Sequence, residues 1–170
     1  GTTLDGEESS DERGFGGGGG GGYGIGSYGI TGSMTAEIRV GGGGAGGQQN
    51  NNQYRAGSAG GLSRFQPSGS YTGSGRITAN GGGGAPAGTN GSGSGGTSQA
   101  QGGVGFNGDA GAAKTGSGGE HSPAYPGIGG SSGHADRTYG KGADGKSGAE
   151  QFTGNSGTAG LVYVFEYIEA

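Results

Sequence analysis

Glycine recurs at every third position in four blocks of this chain: Gly102, Gly105, Gly108 and Gly111; Gly127, Gly130 and Gly133; Gly142, Gly145 and Gly148; Gly154, Gly157 and Gly160. A three-residue period fits neither an α-helix nor a β-strand, whose side chains repeat every 3.6 and 2 residues. It matches the left-handed polyproline II helix, with about three residues per turn and about 3.1 Å rise per residue. Glycine on the inward edge lets such helices approach closely, so that backbone N–H and C=O groups bond from one helix to the next. A core of that kind rests on backbone hydrogen bonds instead of packed side chains.

Such a core is an ordered way to use this composition. Glycine supplies 54 of the 170 residues, whereas Leu, Ile, Val and Phe together supply 18. So few large apolar groups ordinarily mean disorder, because too little surface is buried to offset chain entropy. Collagen is excluded by only 4 prolines and by the lack of a continuous Gly-X-Y register. No cysteine is present to staple the fold. No stretch approaches the eighteen apolar residues of a membrane-spanning helix, and no signal-peptide pattern is visible. A first residue Gly1 in place of Met reads as a processed product or a fragment. A net charge of −4 argues against a nucleic-acid or anionic-membrane surface.

The expected fold is mostly irregular and β: a bundle of polyglycine II helices with a few short strands and no α-helix. Residues 1–14 read as an acidic lead-in or attachment segment, and 15–170 as a single glycine-rich domain. Thr35–Val40 and Arg76–Ala79 read as short strands stopped by glycine runs, and Gln48–Gln53 as a polar loop. Glycine density leaves nothing long enough to nucleate a helix. Residues 161–168, Leu-Val-Tyr-Val-Phe-Glu-Tyr-Ile, form the one sustained apolar segment. Their β-branched and aromatic character predicts a C-terminal strand apolar on both faces and covered on both sides. Little core and a strand seeking a partner together suggest an oligomer, with a trimer expected.

Several sharper motifs dissolve on inspection. Gly24-Ile-Gly26-Ser-Tyr-Gly29 fits a dinucleotide fingerprint, but no helix follows it. One Arg13-Gly-Phe15-Gly-Gly element does not make an RNA-binding tail. Asn90-Gly-Ser92 fits a glycosylation acceptor, which matters only in a eukaryotic secretory setting. His121-Ser122 and His134-Ala-Asp136 lack a rigid frame to converge their side chains. No enzyme, no cofactor and no metal site is expected. Chemical variety instead collects in the loops between glycine blocks, the division of labour typical of recognition proteins.

A strand ending in Val40-Gly-Gly-Gly-Gly-Ala45, then Ser63-Arg64-Phe65, then Ile77-Thr78-Ala79-Asn80-Gly-Gly-Gly-Gly-Ala85 and a closing Gly157-Thr-Ala-Gly160-Leu-Val-Tyr-Val-Phe-Glu-Tyr resembles the glycine-rich tip domain of bacteriophage tail fibres and their adhesins. The resemblance covers roughly Phe15 to the C-terminus. Ser63-Arg64-Phe65 and Asn80 are larger than that pattern favours. It implies a virion component at the distal end of a tail fibre, binding a bacterial surface receptor (a glycan, a lipopolysaccharide or an outer-membrane protein) and joined to other fibre subunits. The rival readings are a purely structural glycine-rich protein and an ice-binding polyglycine bundle.

If consecutive blocks run antiparallel, loops 112–126 and 149–153 share one end, and 134–141 lies at the other beside the terminal segment. Receptor contact is then expected at Lys114, His121, Tyr125 and Phe152, with Tyr54, Phe65 and Tyr71 as further contributors. Loop aromatics offer the rigid, amphipathic surface that dominates binding hot spots.

Overall fold

Six consecutive glycines, 17–22, have no side chains to pack, so their order depends wholly on where their backbone groups find partners. In the computed structural model, which describes residues 17–50, 53–86, 92–112, 129–133, 138–144 and 151–167, all six N–H groups leave the segment in three directions. Gly17 and Gly20 donate to the carbonyls of Ala112 and Asp109, Gly18 and Gly21 to those of Ala143 and Gly140, and Gly19 and Gly22 to those of Gly83 and Asn80, at 2.6–2.9 Å. Each neighbour is met every third residue, and the falling partner numbers make each of the three antiparallel to 17–22. Two more neighbours donate back in parallel: Gly93 and Gly96 to Gly17 and Gly20, Gly130 and Gly133 to Gly18 and Gly21.

The same three-residue step recurs outward. Gly57 and Gly60 donate to Ala85 and Gly82, and Ser58 and Gly61 donate to Ala45 and Gly42. Gly154, Gly157 and Gly160 donate to Gly47, Gly44 and Gly41, while Thr158 donates to Lys141 and Gly140 to Ala159. Among the described residues, the segments at 17–22, 41–47, 57–61, 80–85, 93–97, 107–112, 129–133, 140–144 and 154–160 belong to this network, and direction alternates between bonded neighbours except for the two parallel contacts of 17–22. The alternation expected for the later blocks is therefore present.

No helix occurs among the described residues, and three antiparallel sheets cap the glycine segments. Strands β2 (Tyr28–Arg39) and β5 (Ser63–Gly73) form a long hairpin-like pair, extended by β6 (Ile77–Ala79) and β7 (Ser98–Ala100) in the order β2-β5-β6-β7. Strand β1 (Tyr23–Ile25) pairs with β8 (Val104–Phe106). Strands β3 (Gln48–Asn50), β4 (Gln53–Arg55) and β9 (Gln151–Thr153) make the third sheet, with β3 in the middle. Pro67 sits in β5 opposite Ala36, beyond the last β5–β6 pair at Phe65–Ile77. It therefore lies where β5 has a ladder on one side only, the place where a missing N–H does no harm.

Several expectations need correction. The strand at Thr35–Val40 is the end of the longer β2, which stops at Arg39, and the one at Arg76–Ala79 begins at Ile77. Gln48–Gln53 is no loop: its ends belong to β3 and β4, which became strands because β9, about a hundred residues later, completes their sheet. The block Gly102–Gly111 starts as a turn, closed by Gly103 N–H to the Ala100 carbonyl at 3.3 Å with Gly102 at φ +66°, and continues as β8. Only its later part, from Gly108, joins the three-residue network. The C-terminal strand expected over 161–168 is also not found: residues 161–167 belong to no sheet. A strand needs a ladder partner, and the pairing of 154–160 with 41–47 ends at Gly160. Phe165 is 76% exposed and Tyr167 93%.

Side-chain burial contributes little. Among the described residues only Ile77 and Ala85 are buried hydrophobics. Ile77 is roofed by β1, where a side chain at Gly24 would press to 2.7 Å of its Cγ2. Stability thus rests on how closely backbones approach, which makes a sharp contrast between two glycines. A methyl group at Gly20 would fall on the Ser131 carbonyl, whereas one at Gly42 meets nothing within 4 Å. Gly20→Ala should cost about 3 kcal/mol or more, at the upper end of overpacking effects. Gly42→Ala should be neutral or raise stability by about 0.4–1 kcal/mol through the unfolded chain. Urea unfolding followed by far-UV circular dichroism checks both.

Candidate functional site

Alternating direction sorts the connections onto two ends. At one end lie β1, β2, β5, β6, β7 and β8, with Tyr139 and the exposed segment 161–167. At the other lies the β4-β3-β9 sheet, together with the points where the chain departs at Ala112 and Asp144 and returns at Gly129 and Gly154.

At this second end the register is specific. Gln49 pairs with Tyr54 on one side and with Phe152 on the other, so these three residues form one cross-strand row. Two residues expected to bind, about a hundred positions apart in sequence, are thereby set two strands apart. At the same end Asp144 ties segment ends together. Its Oδ1 accepts the Gly129 N–H at 2.7 Å, its Oδ2 lies 3.8 Å from Lys141 Nζ, and its carbonyl accepts from Asn155 Nδ2 at 3.4 Å. Lys114, His121 and Tyr125 lie outside the described residues; the chain leaves toward them at Ala112 and returns at Gly129.

Phe65 and Tyr71 are not brought to that end. Both lie on β5 and pack on Tyr28 of β2, with ring centroids 5.1 and 5.8 Å away. The Tyr28 hydroxyl donates to the Gly75 carbonyl at 2.8 Å. Phe65 and Tyr71 are half-buried parts of this aromatic cluster, which holds the β2–β5 pair to the chain that follows it. Arg64, beside Phe65, pairs with Glu37 across the same two strands. Tyr23 stacks on Phe106 at 6.1 Å and Tyr163 on Phe165 at 6.0 Å.

Sequence reasoning missed Gln49 and Tyr28. A signal existed for Gln49: in a chain so dense in glycine, the glycine-free runs 33–40, 48–56 and 62–68 each fall on or beside a strand, whereas Tyr28, between Gly26 and Gly29, lies in none of them. No group of three or more metal-ligating side chains occurs among the described residues. No protein-family model, curated protein or solved structure matches this chain.

Burial raises the Tyr28 phenol above its ordinary value, and the neighbouring Tyr71 adds to the shift. A raised folded-state value disfavours the phenolate in the native protein. Its contribution is therefore fully present below about pH 10, the ordinary tyrosine value, and is lost as pH rises through the folded value. Tyr28→Phe should lower stability by about 1 kcal/mol at neutral pH through loss of the hydroxyl bond. Its stability should also fall less steeply than wild type above pH 10. Urea midpoints of both proteins from pH 7 to 11 measure the difference.

Proposed function

We propose that this chain is the receptor-binding tip of a bacteriophage tail fibre, a bundle of polyglycine II helices that carries recognition residues at one end. The observation that carries the reading is the bonding of residues 17–22, whose N–H groups leave in three directions with a three-residue repeat. A polyproline II backbone with glycine throughout accounts for that pattern. It agrees with the resemblance of the strand-to-glycine junctions to fibre tips. The scaffold is uniform along its length, so recognition falls to its ends.

The β4-β3-β9 end is the contact surface in this reading, with the row Tyr54, Gln49 and Phe152 at its centre and Lys114, His121 and Tyr125 on the connection that leaves this end at Ala112 and returns at Gly129. The receptor is a bacterial surface glycan, lipopolysaccharide or outer-membrane protein. The exposed apolar segment 161–167, at the far end, joins other fibre subunits, with a homotrimer the expected assembly. Its stacked Tyr163 and Phe165 supply the kind of apolar anchor that interfaces favour. The chain's task in this reading is binding, not bond-making.

Replacing Tyr54 and Phe152 together with alanine should lower virion adsorption to host cells at least tenfold, on the order of the 1.4 kcal/mol that a hot-spot pair readily supplies. Tyr139→Ala, at the other end, should leave adsorption within twofold. Adsorption lost through Tyr139 and untouched at Tyr54 and Phe152 would invert the assignment. For the assembly, sedimentation of the protein and of its Phe165→Ser variant should show a trimer and a weakened trimer; a wild-type monomer at micromolar concentration counts against it.

A further inference from the structure

Six of the glycine segments close into a ring. Following the bonds, 17–22 joins 80–85, which joins 57–61, then 41–47, then 154–160, then 140–144, and the last returns to 17–22. Direction alternates at every step. Residues from all six line a cavity of about 1400 Å³, whose lining also includes residues of β1, β2, β5 and segment 161–167. In a lattice where each chain has six equally spaced neighbours, a ring of six surrounds one position, and here no described segment fills it.

The wall of this lumen is polar backbone. For 17–22, three directions are taken by its own N–H groups and two by the carbonyls of Gly17, Gly20, Gly18 and Gly21. The carbonyls of Gly19 and Gly22 are left for the sixth direction, which is the lumen. The same rotation turns the carbonyls of Ser58 and Gly61 inward. Facing them are the N–H groups of Gly44, Gly47, Gly82, Ala85 and Ala143, none of which donates to the backbone of a described residue. Their nitrogens lie 3.4–3.6 Å from the positions that methyl groups at Gly18, Gly57 and Gly60 would take inside the ring, except for that of Gly82, placed inward by the rotation alone.

A second, independent feature points to an occupant. At Gly19 and Gly20, which face filled positions, a side chain would overlap the backbone of Ser94 and Ser131. At Gly18, Gly21, Gly57 and Gly60, which face the lumen, the nearest atoms to an added methyl group are 3.1–3.4 Å away. The ring itself does not require glycine there, yet glycine stands at each. A chain packed in the lumen as tightly as the others would require it.

We propose that the lumen receives an oligoglycine stretch of a different protein chain, which completes the lattice as its central strand. Any side chain on the occupant would meet a wall, as one would at Gly19, Gly20 or Gly22. The occupant is not this chain or a second copy of it: the described glycines of its runs of four or more, 17–22, 41–44 and 81–84, all belong to ring walls. The walls 41–47 and 154–160 are seven residues long, which at about 3.1 Å per residue sets an occupant of roughly six or seven glycines. The inference rests on the polyglycine II reading of the bonding pattern.

The test is amide hydrogen exchange on the whole protein with and without acetyl-hexaglycine amide, using acetyl-(Gly-Ala)3 amide as control. Amides of Gly44, Gly47, Gly82, Ala85 and Ala143 should exchange freely in the protein alone and slow at least tenfold with hexaglycine, and not with the control. Gly18→Ala should keep its circular dichroism and thermal midpoint while losing the slowing; Gly60→Ala serves the same purpose if the first variant does not fold. No slowing at millimolar hexaglycine, or equal slowing by the control, overturns the proposal, as does protection of these amides in the protein alone. Gly17–Gly22 should stay protected throughout. Exchange there at coil rates would instead sink the lattice reading beneath the proposal.

Discussion

Everything in this structure depends on backbone groups finding partners on neighbouring chain segments at close range. The segment 17–22 is the extreme case, spending all six of its N–H groups on three separate segments. In a helix those groups would be satisfied locally, and in a sheet by two neighbours. Here the third direction converts a sheet-like pairing into a solid, which is how a chain with two buried hydrophobic residues among those described acquires an interior at all. Glycine is required because the distance between segments is set by backbone contact. Where Gly20 faces the Ser131 carbonyl there is no space for one methyl group.

The interior was legible in the sequence to the extent that it is periodic. The glycine spacing at 127–133, 142–148 and 154–160 announced segments that bond every third residue, and the described parts of those blocks do so. At 102–105 the same spacing misled, because Gly102 serves a turn with positive φ and Gly105 sits in β8. Spacing alone does not distinguish a glycine that admits a neighbouring backbone from one that admits a turn. The hub itself, 17–22, carried no period to read, since an unbroken run hides its own repeat.

The ends were less legible because they depend on pairings distant in sequence. Nothing near Gln49 reveals that Phe152 will lie beside it, and polar Gln48–Asn50 forms a strand only because β4 and β9 flank it. The terminal segment shows the converse. Leu161–Tyr167 has the composition of a buried strand, yet composition does not create a ladder partner, and most of its large side chains face solvent. Phe65 and Tyr71 likewise carry the chemistry of a contact surface but serve to pack Tyr28.

The scarcity of buried apolar side chains reaches beyond architecture into thermodynamics. Heat capacity rises on unfolding because apolar surface becomes hydrated, while newly exposed peptide groups lower it. An interior made of glycine backbone has much of the second kind of surface and little of the first. The temperature dependence of unfolding enthalpy should then be unusually weak, and the stability curve broad and shallow. Cooling, which erodes proteins held by the hydrophobic effect, would take little from this one.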